Sequence, residues 1–285
     1  MRYAMFLLAV MGCRPEVGLR ASLVTSTKII AVRAEPAEVS LGEEVALSAL
    51  VVSPTGPVMP PIAWSMCRTP KPFTIDDVIA PACLGAGSAS LGQATSLTAT
   101  VPFDACRLFG PDLPPTGADG QRVRPRDPDA TGGYYQPFVL DLDGAQTAML
   151  ERMRCALVGA SAAEAALFAM RYQPNQNPEL RGVSLSVGGA PVDPAAIPVG
   201  AAVTIVPQLG ELESYIRFDL ASGSVVDEQE TVTLSYFITA GELDADRGST
   251  NVWHAPPTAG PEWLWLVARD SRGGTSHLTV PVALR

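Results

Sequence analysis

Residues 262–284 read EWLWLVARDSRGGTSHLTVPVAL, and this stretch decides the fold class. Tryptophan and leucine alternate at its start, and a second alternating run begins at Thr275. A period of two residues is typical of a strand that buries one face. The Ser-Arg-Gly-Gly segment between the two runs favours a hairpin turn. The stretch therefore predicts two adjacent antiparallel strands.

The same period recurs along most of the chain. It is clearest at residues 43–52, EEVALSALVV, where Val45, Leu47 and Val51 face one way. The 285 residues include 26 prolines and 25 glycines, and 47% are hydrophobic, which indicates many turns around an ample core. Short strands at near-regular spacing predict an all-β protein built from antiparallel β-sandwiches.

One segment departs from this pattern and predicts a short helix over residues 162–172. Ser161 and Glu164 form an S-x-x-E capping box before a run of good helix formers. We expect Leu167, Phe168 and Met170 to pack this helix onto the first domain.

Residues 233–284 resemble the C-terminal part of a bacterial immunoglobulin-like or PKD-like domain. An aromatic strand with Tyr236 is followed by a glycine turn, a Trp-x-Ala-Pro segment at Trp253, a strand that ends at Asp270, and the turn Gly273-Gly274. Residues 28–66 are similar to strands A, B and C of the same family. The resemblance covers roughly residues 28–66 and 182–285, and it implies a fold without implying a chemistry.

This resemblance implies two immunoglobulin-like sandwiches. The first is expected at residues 28–173 and the second at residues 182–285, with a linker at 174–181. Two stretches of the first domain, residues 67–94 and 102–133, are rich in Pro, Gly and Asp. Loops of that length are uncommon unless they are functional or pinned, so we expect disulfides to pin them.

The N-terminus predicts export. Residues 3–11 are apolar or aromatic, which is too short a run to span a bilayer, and Gly12-Cys13 follows. The stretch resembles a bacterial lipoprotein signal. The resemblance implies removal of residues 1–12, a lipid on Cys13, a tether at 13–27 and an outer-membrane location. The alternative is a strand or tail that happens to hold a cysteine.

Four further cysteines, all in the first half, predict two disulfides. They are Cys67, Cys83, Cys106 and Cys155. An even count in an exported chain indicates disulfides, and four cysteines allow three pairings, of which Cys67 with Cys83 closes the shortest loop. Zinc is disfavoured because there is no C-x-x-C pair and because the two histidines lie far away in the sequence.

Composition and motifs argue against nucleic acid, cofactors and catalysis. The formal net charge is −9 and no basic block is present, which disfavours a nucleic-acid partner. The sequence contains no phosphate loop, dinucleotide fingerprint, G-x-S-x-G or H-E-x-x-H motif. We assign His254 and His277 structural roles and expect no enzyme and no cofactor. Three aspartates, Asp244, Asp246 and Asp270, are weak calcium candidates.

Three tryptophans, Trp253, Trp263 and Trp265, are candidates for ligand contact. Trp263 and Trp265 share one face of their strand, and Leu264 and Leu266 occupy the other. One of the two faces must therefore be exposed or covered by a partner. The sequence favours a non-catalytic, lipid-anchored envelope protein that presents immunoglobulin-like modules to a protein partner, with the long loops as contact surface. The alternative function is carbohydrate or matrix binding through the tryptophans.

Overall fold

A computed structural model of the chain describes residues 21–71, 75–114, 116–117, 120–122 and 133–285. The described residues form two β-sandwiches, each built from two main sheets. The first sandwich contains strands β1 Lys28–Glu35, β2 Glu38–Ser40, β3 Glu44–Ser53, β4 Gly56–Val58, β5 Ile62–Cys67, β6 Ser88–Ala94, β7 Ser96–Thr100, β8 Tyr134–Leu142 and β9 Ala145–Arg154.

In the first sandwich, the consecutive strands β1 and β2 belong to different sheets. β3 pairs with β1, β4 and β7 in one sheet, and the other sheet has the order β2-β9-β8-β5-β6. After β1 the chain crosses to the second sheet, where β2 pairs in parallel with residues 152–154 of β9. The remaining pairs are antiparallel. Between the sheets, Val45 and Leu47 of β3 meet Trp64, Phe138 and Leu140, as the alternation predicts.

The second sandwich has the strand order of an immunoglobulin constant-type domain. Its strands are β10 Leu180–Val187, β11 Ala190–Pro191, β12 Ala202–Leu209, β13 Ser214–Asp219, β14 Ser224–Gln229, β15 Val232–Ile238, β16 Glu242–Leu243, β17 Asn251–His254, β18 Gly260–Asp270 and β19 Thr275–Leu284. One sheet has the order β11-β10-β12-β17-β16 and the other β15-β18-β19. Apart from short β11, these orders match the ABED and CFG sheets. The hairpin β13–β14 is inserted between the second and third of those strands.

The predicted fold class is confirmed: the chain is all-β, with two immunoglobulin-like sandwiches, two disulfides and little helix. Two details differ from the prediction. Residues 88–94, expected within a loop, form β6, and a short helix, α1 Ala105–Phe109, lies in the other predicted loop. Among the residues that the structure describes, no helix is both long enough and apolar enough to cross a membrane.

The predicted helix is present as α2 Ala162–Arg171, but its packing partner was predicted wrongly. The hydroxyl of Ser161 accepts a hydrogen bond from the Glu164 N–H at 3.2 Å. The Glu164 carboxylate accepts a hydrogen bond from the Val225 N–H on β14 at 2.8 Å. The helix therefore packs on the β13–β14 hairpin of the second sandwich, and Met170 is exposed. A two-stranded hairpin is marginally stable alone, so each element supports the other.

A glutamine and a glutamate lie opposite each other on the core face of the first sandwich. Gln136 on β8 and Glu151 on β9 are register partners, and both are buried. Within the described part of the chain, the Oε1 atoms of both side chains have no hydrogen-bond partner. Burial and, to a smaller extent, the negative charges of Glu38 and Glu35 together raise the pKa of Glu151 to about 9. Glu151 is therefore protonated at neutral pH, and its hydroxyl is a hydrogen-bond donor in the core.

We expect the free energy of unfolding to fall as pH rises from about 5 to 9. The folded state holds the Glu151 proton up to about pH 9, whereas the unfolded state releases it near its ordinary value of 4.5. Glu151→Gln should flatten this dependence and stabilise the protein above pH 8. Urea unfolding followed by circular dichroism at several pH values measures it. The same change at exposed Glu44 is the control, and an unchanged slope in Glu151→Gln would contradict the assignment.

Candidate interaction surface

The first cysteine loop, defined as residues 68–71 and 75–87, packs on the outer face of a sheet. The predicted pairing of Cys67 with Cys83 is confirmed, with a Cα–Cα distance of 5.1 Å. Ile79 and Ala80 of the loop pack with this disulfide against Val139 of β8. The loop therefore has its own small apolar base, and the disulfide closes it where it leaves β5.

The second cysteine loop, defined as residues 102–114, contains α1 and is fastened by the other disulfide. Cys106 on α1 is bonded to Cys155, just after β9, with a Cα–Cα distance of 5.8 Å. Phe109 packs against both the main core and the base of the first cysteine loop. Arg68 donates hydrogen bonds to both carboxylate oxygens of Asp104, at 2.9 and 3.0 Å. The two loops are thus neighbours held together by a bidentate ion pair and a shared aromatic ring.

Both cysteine loops present large apolar side chains to solvent. Phe103 is 82% exposed and Val78 is 69% exposed, and Leu84 and Leu113 are also exposed. Single exposed apolar residues are common on protein surfaces. Here they lie on loops whose bases are covalently fixed, which reduces the entropy lost when such a loop becomes ordered against a partner.

The three tryptophans that were candidates for ligand contact do not form an open stacking platform. Trp253 is buried in the core of the second sandwich, and Trp265 has no exposed surface. Trp263 is half-buried and stacks on Trp265, with ring centroids 6.2 Å apart. A Cβ atom at Gly56 of the first sandwich would lie 2.7 Å from the Trp263 ring, so the indole rests against that glycine. Gly56 has φ +123°, which favours glycine independently.

The strand face that carries Trp263 and Trp265 is covered by the first sandwich. Trp265 and Val267 of β18 form one buried apolar cluster with Val24, Ile30 and Val52. The opposite face of β18, with Leu264 and Leu266, belongs to the core of the second sandwich. The cover that the alternating pattern requires is therefore a domain of the same chain.

A buried carboxylate also lies between the two sandwiches. Glu38 on β2 accepts hydrogen bonds from the Arg152 Nε and the Asn175 N–H, each at 2.9 Å, and from the Tyr172 hydroxyl. Arg272, in the β18–β19 turn of the second sandwich, reaches the same carboxylate at 3.5 Å. Glu38, Arg152 and Arg272 are all buried. Two cations from different sandwiches thus share one buried anion.

The charge cluster continues on the side of the second sandwich. Burial and the negative charges of Asp270 and Glu213 raise the pKa of Glu230 to about 8, against the opposing effects of Arg272 and Arg152. The Asp270 carboxylate accepts the N–H groups of Arg272 and Gly274, each at 2.8 Å. Sequence reasoning missed this cluster. The sequence signal that could have indicated it is the group of charged residues that stands next to otherwise apolar strands.

The predicted linker is part of the interface between the sandwiches. Asn177 donates to the Ala34 carbonyl at 2.7 Å and accepts from the Thr275 N–H at 2.8 Å, which joins β1 to β19. Asn175 is buried between Glu38 and Asp270. Residues 174–181 therefore bind both sandwiches instead of separating them.

Part of the predicted tether is also ordered against the second sandwich. The N–H of Val24 donates to the Ile238 carbonyl at 2.8 Å, and the Ile238 N–H donates to the Ser22 carbonyl at 2.9 Å. Residues 22–24 thus add to the edge of β15, in parallel. The predicted lipidation site, Cys13, and the predicted signal at residues 1–12 lie outside the described residues.

The three weak calcium candidates do not form one cluster. The Asp244 carboxylate accepts a hydrogen bond from His254 Nε2 at 2.8 Å on an exposed surface. Asp270 instead organises the β18–β19 turn. In the part of the chain that the structure covers, no group of three or more potential metal ligands occurs. His277 lies on β19, where burial and the positive charge of Arg33 lower its pKa.

Comparison with known proteins gives low similarities. No protein-family model matches the chain, and no curated protein does. Solved structures that are similar include the fibronectin(III)-like modules of CbhA from Clostridium thermocellum, at 13% identity over 90% of this chain and 92% of that chain, with a TM-score of 0.26. The adhesin InvE from Yersinia pseudotuberculosis has 11% identity over 90% of this chain and 58% of that chain, with a TM-score of 0.22.

The tandem Ig repeats of Dlar are similar at 11% identity over 92% of this chain and 99% of that chain, with a TM-score of 0.22. TM-scores of this size carry no argument about function. The functional conclusion therefore rests on the residues described above.

The joint between the sandwiches can be tested with Trp265→Ala. Loss of the indole leaves a cavity that costs about 3–5 kcal/mol and removes the largest side chain that both sandwiches contact. We expect the radius of gyration from small-angle X-ray scattering to increase because the two sandwiches become mobile relative to each other.

The matched control is Trp253→Ala, which removes an equally large buried side chain from inside the second sandwich. It should lower stability without enlarging the molecule. Circular dichroism confirms that both variants are folded under the conditions of scattering. A radius of gyration that stays at the wild-type value in Trp265→Ala would show that the indole does not hold the joint.

Proposed function

We propose that this chain is a non-catalytic, lipid-anchored protein of the bacterial cell envelope that presents its two cysteine loops to a protein partner. The observation that carries the proposal is the pair of neighbouring loops with exposed apolar side chains on covalently fixed bases. Loops on a rigid scaffold commonly carry binding function. Aromatic and aliphatic side chains that fill pockets on a partner contribute much of the binding free energy at protein interfaces.

The arrangement of the sandwiches supports display at a fixed geometry. The apolar cluster around Trp265 and the shared carboxylate of Glu38 couple the second sandwich to the one that bears the loops. A ligand-contacting loop that moves little in the free protein loses less entropy on binding. A rigid double sandwich is therefore a suitable scaffold for adhesion or assembly.

The disulfides support an oxidising compartment. Such bonds persist in the periplasm and outside the cell and are rare in the cytosol. A lipid on Cys13 would place the membrane within eight residues of Ala21, a span of at most about 28 Å when fully extended. Residues 22–24 are bound to β15, so the second sandwich would lie nearest the membrane and the cysteine loops would belong to the other sandwich.

Carbohydrate binding, the alternative from the sequence, loses its main support. Two of the three tryptophans are buried, and the third rests on Gly56. Stacking on a sugar ring requires an open aromatic face, which these three residues do not offer. We therefore retain protein binding as the single proposal.

The loop proposal is tested by Phe103→Glu combined with Leu113→Glu. Charges at these exposed positions should prevent docking on an apolar pocket of a partner without disturbing the core. The intact protein is cross-linked in its native envelope and purified, and bound proteins are identified by mass spectrometry. We expect at least one protein captured by the wild type to be reduced more than about tenfold with the variant, the change that 1.4 kcal/mol produces.

Met170→Glu is the control for this experiment, because Met170 is equally exposed but lies on α2. Retention of the same partners by the loop variant, or their equal loss in the control, would reject the cysteine loops as the contact surface.

The lipid anchor is tested separately with Cys13→Ala. A diacylglycerol thioether and an acyl chain raise the mass of the mature protein and hold it in the membrane fraction. We expect the wild type to carry this added mass and the variant to leave the membrane fraction. Mass spectrometry of the intact protein measures the first result and fractionation the second. A wild-type protein without acyl groups would exclude the anchor and leave the loop proposal open.

A further inference from the structure

A groove of about 460 Å³ separates β1 from β9 and ends at the β18–β19 turn. Residues 29–32 of β1 form one wall and residues 147–150 of β9 form the other. Arg269 to Ser271, with Gly273 and Thr275, close one end. The groove is thus bounded by both sandwiches, and its β9 wall also contacts the base of the first cysteine loop through Leu150. Its volume is within the range of known ligand sites.

One wall of the groove is an unpaired strand edge. β9 pairs with β8 along its whole length, but on its other side β2 reaches only residues 152–154. In the described ranges, no strand pairs with that side of residues 145–151. In an edge strand, every second residue points its N–H and C=O away from the sheet. These groups bond to water or to a strand that a partner supplies.

This edge lacks the residues that normally prevent pairing. Residues 145–150 read AQTAML, without charge or proline. Natural proteins protect open edges with charged residues, prolines or bulges. β1 carries Lys28, Arg33 and a bulge near Ile30, and β19 carries Pro281. The composition of the β9 edge is therefore compatible with strand pairing.

The groove also offers a positive charge. The Arg269 guanidinium donates to the Ile30 carbonyl at 2.7 Å. Burial and the nearby charge of Arg247 lower the pKa of Arg269, although part of the side chain is exposed to solvent. Across the described residues, no carboxylate forms an ion pair with Arg269. An acidic group in the groove could therefore pair with this guanidinium.

We propose that this groove binds one extended segment of a partner protein, which adds as a strand to the β9 edge and places an acidic residue at Arg269. Strand addition supplies affinity through main-chain hydrogen bonds and specificity through alternate side chains. A single segment fits better than the sheet edge of a second copy, because β1 and the β18–β19 turn wall the groove on two sides. The variants that test this site differ from those that test the cysteine loops, so either proposal can fail without the other.

The test uses a fluorescein-labelled peptide of alternating valine and threonine with one central aspartate, and the same peptide with asparagine instead. Fluorescence anisotropy measures binding to the purified full chain. We expect saturable binding of the aspartate peptide and about tenfold weaker binding of the asparagine peptide, equivalent to 1.4 kcal/mol. In Arg269→Gln this tenfold preference should disappear, and the two changes together form a double-mutant cycle that isolates the interaction between the aspartate and Arg269. Arg269→Lys should keep part of the preference.

Ala148→Lys tests the strand edge. Ala148 is exposed and lines the groove, so lysine fills it without entering the core. This variant should weaken binding of both peptides, whereas Ala166→Lys, at an exposed position of α2, should not. Hydrogen exchange should show slower exchange of amides in residues 145–150 when the peptide is bound.

Three results would overturn the proposal. They are the absence of saturable binding of the aspartate peptide, equal binding to Ala148→Lys, and protection of amides elsewhere. Sedimentation velocity without peptide tests whether a second copy of the chain occupies the groove. A dimer that Ala148→Lys dissociates would assign the groove to a second copy of the chain and reject a foreign segment.

Discussion

The Glu38 carboxylate receives hydrogen bonds from β9, from the segment that joins the sandwiches and from the turn between β18 and β19. A buried carboxylate is costly unless its charge and its lone pairs are satisfied. Arg152 alone would meet part of that need, and Arg272 arrives only when the second sandwich is in place. The need to satisfy the Glu38 carboxylate therefore determines how the two sandwiches are oriented at the joint. The apolar cluster around Trp265 supplies the burial that favours association.

The two parts of the joint act in different ways. Apolar burial is non-directional, so Trp265 and its neighbours would tolerate small rotations of one sandwich against the other. Hydrogen bonds to a shared carboxylate depend on angle and distance, so they select one orientation. Asn177 adds a further constraint because its amide bonds to both sandwiches at once. Together these contacts hold the cysteine loops, the groove and residues 22–24 in fixed relative positions.

The sequence predicted the elements well because their signals are local. Alternation at residues 43–52 and 262–284 identifies strands, and Ser161 identifies the start of α2, since each depends only on neighbouring residues. What covers a strand face is not local. The pattern around Trp265 indicates a buried face, but it does not distinguish another sheet, another domain or a partner. The same limit explains why the packing partner of α2 was predicted wrongly. Its half-buried side chains show that it packs on a surface, but they do not identify which one.

The charged residues of the joint were missed for a related reason. Glu38 lies at a strand end and Arg272 in a turn, where charged side chains are normally exposed to solvent. Glu151 gave a clearer signal, because the alternation of Met149, Glu151 and Met153 places a carboxylate on the core side of β9. A carboxylate at such a position is most simply explained as a neutral acid. The composition of residues 145–150 shows that the strand lacks charge and proline. Only the structure shows that β2 is too short to cover this edge, which leaves it open.

The shared joint has a consequence for how this chain changes over evolutionary time. Immunoglobulin-like sandwiches in many proteins are self-contained, and genes gain or lose them by recombination at the linkers. Here a cut at residues 174–181 would expose the Trp265 indole on the second fragment and separate Arg272 from Glu38, while Glu38 and Arg152 would stay together on the first. We therefore expect the two sandwiches to recombine poorly as separate modules.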